Sequence, residues 1–68
     1  MTFKELREEG RRFMGGYYND GNGHIGVGHG VGLWGAAIAW YSFTPKYGYQ
    51  LCGSTNTREG ASFVKVDA

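Results

Sequence analysis

Gly26, Gly28, Gly30 and Gly32 occupy every second position of one short stretch. A period of two belongs to a β-strand, whose successive side chains point to opposite faces. One face of this strand is bare, so whatever crosses it comes close to the backbone. The other face carries Ile25, Val27, His29, Val31 and Leu33, an apolar row with one histidine, as in a strand half-buried in an antiparallel sheet. The stretch commits the chain to a sheet and to something that fills the space above the glycines.

With 68 residues the chain makes one small domain, residues 1–68. Its ordering entropy, roughly 1.5 kcal/mol per residue, nearly cancels the gain from burial. Domains this small usually need a disulfide, a metal, an oligomer or a partner. The single cysteine, Cys52, excludes an internal disulfide, so self-association into a homo-oligomer or a protein partner is the expected support. A lone thiol suits a reducing compartment, and the expected location is the cytoplasm, the host cytoplasm if the protein is phage-encoded. Seven basic and six acidic residues leave no field that would gather nucleic acid. Glu5, Glu8 and Glu9 interrupt any apolar signal segment, and the most apolar run, residues 31–41, is too short to cross a bilayer as a helix. Neither a nucleic acid nor a membrane is expected as partner.

Residues 1–15 read as an amphipathic helix. Thr2 and Glu5 have capping-box spacing, and Phe3, Leu6, Gly10, Phe13 and Met14 recur on one side. Glycine at position 10 costs about 1 kcal/mol relative to alanine, which makes sense where the helix lies against another backbone. Glu8 is spaced to meet Arg11 and Arg12. Lys4, Arg7 and Arg11 form a basic stripe with glutamates interleaved, read mainly as a solvated face, with Arg11 its candidate contact residue. Gly15 and Gly16 end the helix.

Residues 17–68 read as an antiparallel β-meander of three to four strands, giving an α+β fold with the helix packed on the sheet. Residues 19–23 are turn chemistry. Residues 24–43 split at Trp34 and Gly35 into a hairpin, which pairs Val31 with Ile38, His29 with Trp40, Gly28 with Tyr41 and Gly26 with Phe43. That register lays Tyr41 and Phe43 over the glycines and gathers Trp40 with the aliphatic residues on the other face. Residues 33–41 also fit helical spacing, but their aromatic residues and the preceding glycines favour a strand. Residues 49–52 make a third strand, and residues 62–66 close the sheet with Val64 and Val66 on one side.

Several local patterns invite chemistry. Asp20-Gly21-Asn22-Gly23-His24-Ile25 resembles the centre of the EF-hand calcium loop. In that alignment Tyr18 and His29 stand where the family places its first and last carboxylates, so a hairpin turn is expected and no metal site. Gly30-Val31-Gly32-Leu33-Trp34-Gly35 matches the dinucleotide-binding glycine pattern, without room for the βαβ unit that gives it meaning. His24 and His29 are an odd number of residues apart on one strand and point to opposite faces. Nothing in the spacing activates the Cys52 thiol, so no catalytic group and no cofactor are expected.

The Gly15-Gly16 pair resembles the cleavage site of double-glycine-leader bacteriocin precursors. Tyr17-Tyr18 followed by Gly21-Asn22-Gly23 is similar to the start of pediocin-like peptides. The resemblance implies an alternative function, release of a glycine-rich, membrane-active peptide beginning at Tyr17. The paired cysteines of pediocins are absent, and Arg58, Glu59, Lys65 and Asp67 make the tail unlike a membrane segment.

Eleven aromatic side chains are more than one helix on one small sheet can hide, and exposed rings beside glycine are typical of contact surfaces. The expected function is a non-enzymatic protein-binding module, an inhibitor or adaptor acting on a larger protein complex. Phage inhibitors of host or defence complexes, anti-CRISPR proteins among them, are of this general kind. The candidate partner-binding residues are Trp34, Tyr41, Phe43, Tyr17, Tyr18 and Arg11. Carbohydrate stacking on Trp34 or Tyr41 is a third possibility, with few polar groups set beside those rings.

Overall fold

The computed structural model describes residues 1–29, 37–55 and 59–66. Helix α1 spans Phe3–Met14 and is followed by strands β1 (Gly16–Asn19), β2 (His24–His29), β3 (Ala37–Thr44), β4 (Gly48–Thr55) and β5 (Ser62–Lys65). All neighbouring strands are antiparallel, and their order across the sheet is β4-β3-β2-β1-β5. The α+β class is as expected, with five strands rather than three to four.

The helix starts and stops where its local chemistry says. Thr2 Oγ1 accepts from the Glu5 N–H at 3.2 Å and Glu5 Oε1 accepts from the Thr2 N–H at 2.9 Å, a complete capping box. Gly15 closes the other end in the left-handed region at φ 81° and donates to the Arg11 carbonyl at 3.1 Å. The helix surface carries the pairs Glu8–Arg11 at 4.0 Å, both exposed, and Glu9–Arg12 at 3.7 Å, with Glu9 half-buried, so Arg12 meets Glu9 rather than Glu8. Such pairs contribute little to stability. The inner face buries Leu6 and Gly10. A Cβ at Gly10 would stand 2.3 Å from the Gly16 carbonyl oxygen, so helix and β1 meet backbone to backbone, as the glycine on the apolar stripe suggests.

Leu6, Ile25 and Val27 form the core beneath α1, with Tyr17, Tyr41 and Tyr49 packed around it. Phe3 extends this layer, its ring 5.4 Å from Tyr17 and 6.2 Å from Tyr49. Val66 is also buried, and its N–H donates to the Gly15 carbonyl at 2.9 Å. That bond ties the chain beyond β5 back to the helix C-cap.

Two expectations are corrected here. The sheet is not a simple meander, because β5 returns to pair with β1 instead of β4, as in a Greek key. Tyr17 and Tyr18 form β1 with β5 beside them, Val64 opposite Tyr17 and Phe63 opposite Tyr18. The β2–β3 register also differs: Ile25 pairs with Tyr41, Gly26 with Trp40 and Gly28 with Ile38, a shift of three residues from the expected hairpin. An odd shift exchanges the faces. Tyr41 therefore lies beside the core under α1, and Trp40 and Ile38 take the glycine side. The proposed hairpin loop at Trp34 and Gly35, and Gly30 and Gly32 of the alternating run, lie outside the described residues.

The β1–β2 turn is built by carboxylate and amide side chains. Asn19 Oδ1 accepts from Gly21 N–H at 2.8 Å, and Asp20 Oδ1 accepts from the N–H groups of Asn22 at 2.7 Å and His24 at 3.0 Å. Asp20 Oδ2 meets His24 Nδ1 at 2.6 Å. Partial desolvation pushes the Asp20 carboxyl up, but the hydrogen bonds from Asn22 and His24 and the His24 ring outweigh it and hold the pKa below its ordinary value. The Thr2 N–H and hydroxyl hold Glu5 low in the same way. A carboxylate with a depressed folded-state pKa adds stability that is fully present above its unfolded pKa and is lost as pH falls through the folded value. The melting temperature should therefore hold steady above about pH 5 and fall once the pH drops below about 4. In Asp20→Asn the acid-side fall should be smaller, and an unchanged fall in that variant would mean that the turn carboxylate plays no part.

Candidate functional site: an aromatic row across the sheet

One transverse row of residues crosses all five strands in register. Phe63 of β5 lies opposite Tyr18 of β1, Tyr18 opposite Gly26 of β2, Gly26 opposite Trp40 of β3, and Trp40 opposite Gly53 of β4. Side chains in one such row share a face. Ile25, Val27 and Tyr41, one position along their strands, pack with Leu6 of α1, so Phe63, Tyr18 and Trp40 stand on the opposite face of the sheet, which the end of α1 reaches through Met14 at Gly28.

Glycines make room for these rings. A Cβ at Gly26 would lie 2.9 Å from Trp40 Cζ3 and 2.8 Å from Ile38 Cγ2, so the indole reaches across Gly26. A Cβ at Gly16 would lie 2.7 Å from Phe63 Cζ and 2.1 Å from the Val64 carbonyl oxygen. Phe63 also meets Tyr18 edge to face, with centroids 5.2 Å apart, an arrangement that favours the pair beyond area burial. The row has a buried middle and an open rim. Tyr18 and Ile38 are buried on this face, Trp40 is half-buried, and Phe63 is 44% exposed. Gly28 plays a different part from the expected ring cradle. Its N–H donates to Met14 Sδ at 3.2 Å, and the space a Cβ would need is taken by that thioether.

The anticipated contact residues separate into distinct places. Tyr18 is in the row. Tyr17 and Tyr41 pack beside Leu6 in the core, so they anchor the fold. Phe43 lies on the helix side but beyond its cover, exposed, with its ring 5.4 Å from Tyr49. Arg11 is exposed on α1 beside Glu8, and Trp34 lies outside the described residues. Trp40 and Phe63 were not anticipated. Their signal is one of parity, since Trp40 shares a face with Tyr18 only in the register that pairs Gly26 with both.

The reactive groups are in use elsewhere. The His24 ring is held by Asp20, and the exposed Cys52 thiol donates to the Trp40 carbonyl at 3.3 Å. Among the described residues no three of His, Cys, Asp and Glu gather where they could hold a metal ion, and no helix is long and apolar enough to cross a membrane. Gly15 caps the helix and Gly16 is paired in β1, so a cut after the glycine pair would separate Leu6 from Ile25 and Val27. No protein-family model, curated protein or solved structure matches the chain.

Proposed function

We propose that this protein is a small non-enzymatic binding module, an inhibitor or adaptor that occupies the surface of a larger protein, and that Phe63 and Trp40, supported by Tyr18, form its contact. The register row supports this reading: Trp40 and Phe63 keep exposed surface beside glycines, braced by the buried Tyr18 and Ile38, while Leu6, Ile25 and Val27 pack under α1 on the other face. Partly exposed aromatic side chains braced by buried neighbours are the usual anchors of protein interfaces. A phage-encoded inhibitor of a host or defence complex, of the anti-CRISPR kind, is one form that such a module takes in a cytoplasm.

Capture of a stoichiometric partner by the tagged protein, compared across variants, tests the reading. Phe63→Ala and Trp40→Ala should each weaken capture by about 2 kcal/mol or more, a hot-spot magnitude. Their circular dichroism should stay that of the parent. Undiminished capture by both variants would contradict the assignment, as would leakage of vesicles caused by the peptide beginning at Tyr17.

A further inference from the structure

We infer that Met14 is an oxidation site, where a hydroperoxide converts the thioether to the sulfoxide and so unlatches the end of α1 from the sheet. The protein has two methionines, and they differ in what their side chains hold. Met1 is exposed, and its bonds to the chain at Tyr47 and Tyr49 are made by main-chain groups. Met14 is half-buried at the last position of α1, and its sulfur meets the sheet.

The thioether stands where strand residues would. Strand β1 pairs with β2 at Asn19–Ile25 and Tyr18–Gly26, and two residues further along β2 it is Met14 Sδ that accepts from the Gly28 N–H, at 3.2 Å. A Cβ at Gly28 would lie 2.7 Å from Sδ and 2.8 Å from Cε, so the end of Met14 takes the place of the side chain that Gly28 lacks. Gly28 pairs with Ile38 of β3, and the Cβ positions of such cross-strand partners are about 5 Å apart. Met14 therefore helps to cover Ile38, which is fully buried and lies against Gly26 beside Trp40.

The reaction is an oxygen transfer. A sulfur lone pair attacks the terminal oxygen of the hydroperoxide, an S–O bond forms and the O–O bond breaks; the proton of the transferred oxygen passes to the departing one, which leaves as water or an alcohol. Sulfur is oxidised by two electrons and the peroxide is reduced by two. The Gly28 N–H engages one side of the sulfur, and Met14 keeps part of its surface in solvent. The product does not fit the latch. An oxygen on the Gly28 side would sit between sulfur and nitrogen, whose 3.2 Å separation is already that of one hydrogen bond. Elsewhere on the sulfur it makes polar a side chain whose place is beside the buried Ile38. In both cases the side chain withdraws toward water, the Gly28 N–H loses its acceptor and Ile38 loses cover. Methionine sulfoxide reductases reverse the change, so the latch closes again on reduction.

Amide hydrogen exchange of the whole chain before and after dilute hydrogen peroxide tests this, with peptide mass mapping to place the added oxygen. Met1→Leu keeps the main-chain bonds of residue 1 and leaves Met14 as the one methionine. Once oxidised, that variant should exchange the Gly28 amide at least tenfold faster and melt at a lower temperature, and a methionine sulfoxide reductase should return both to their starting values. In Met14→Leu, peroxide should leave the Gly28 exchange rate where it was. Met14→Gln, a polar side chain of similar length, should show the faster exchange with no oxidant. None of these readouts needs a partner, so they stand apart from the contact made by Phe63 and Trp40. The inference is overturned if Met14 takes up no oxygen while the chain is folded, or if its sulfoxide leaves Gly28 exchange unchanged. It is also overturned if peroxide speeds that exchange equally in Met14→Leu, or if Met14→Gln protects Gly28 as the parent does.

Discussion

Leu6→Ala should cost about 2–5 kcal/mol of folding free energy, the range for truncating a fully buried leucine. Leu6 is 1% exposed and is the helix residue that reaches the cluster of Ile25 and Val27. Its loss leaves a cavity between α1 and the sheet, which Tyr17, Tyr41 and Tyr49 can close only by leaving their own contacts. Total stability in a domain of this size is often only about 3–5 kcal/mol, so the variant should be largely unfolded at room temperature. Urea titration followed by far-UV circular dichroism reads this outcome. A variant that unfolds at the parent's midpoint would place the core elsewhere.

Gly10→Ala should also destabilise, against the sign that helix propensity alone gives. Alanine is the better helix former by about 1 kcal/mol, and at an exposed position the change would help. Here the added Cβ would stand 2.3 Å from the oxygen and 2.9 Å from the carbon of the Gly16 carbonyl. Both are backbone atoms in a paired strand and cannot turn aside as a side chain can. The helix must lift from β1, and the expected net loss is about 1–3 kcal/mol, as for other overpacked sites. Glu8→Ala on the outer face of α1 should change stability by less than about 0.5 kcal/mol. A gain in stability for Gly10→Ala would show that the helix does not rest on the start of β1.

Features set by neighbours in the chain were legible in the residues. The Thr2–Glu5 capping box, the Gly15 cap, the turn at Asp20 and the close approach at Gly10 each depend on side chains or a missing Cβ within a few positions. Pairings across long separations were not. Return of β5 to β1 depends on Val64 meeting Tyr17 and on Val66 bonding to Gly15, and nothing at residues 62–66 says which edge they will join. The β2–β3 register was not legible either, because glycine offers no side chain to distinguish one alignment from the next. A three-residue slip was enough to exchange Tyr41 and Trp40 between the faces. Tyr18 could be singled out as an aromatic residue beside glycine. Trp40 and Phe63 acquire their place only when Gly26 is paired with Tyr18 on one side and Trp40 on the other.

The separation of core from contact face rests on that pairing, and a nuclear Overhauser spectrum of the folded protein tests it without any partner in hand. The account predicts cross-peaks from the Trp40 six-membered ring to the Gly26 α protons and the Ile38 methyl groups, together with contacts within the cluster of Leu6, Ile25, Val27 and Tyr41. Cross-peaks from the Tyr41 ring to the Gly28 α protons and from the Phe43 ring to those of Gly26 would contradict it, because they would return Tyr41 and Phe43 to the glycine face and put Trp40 in the core.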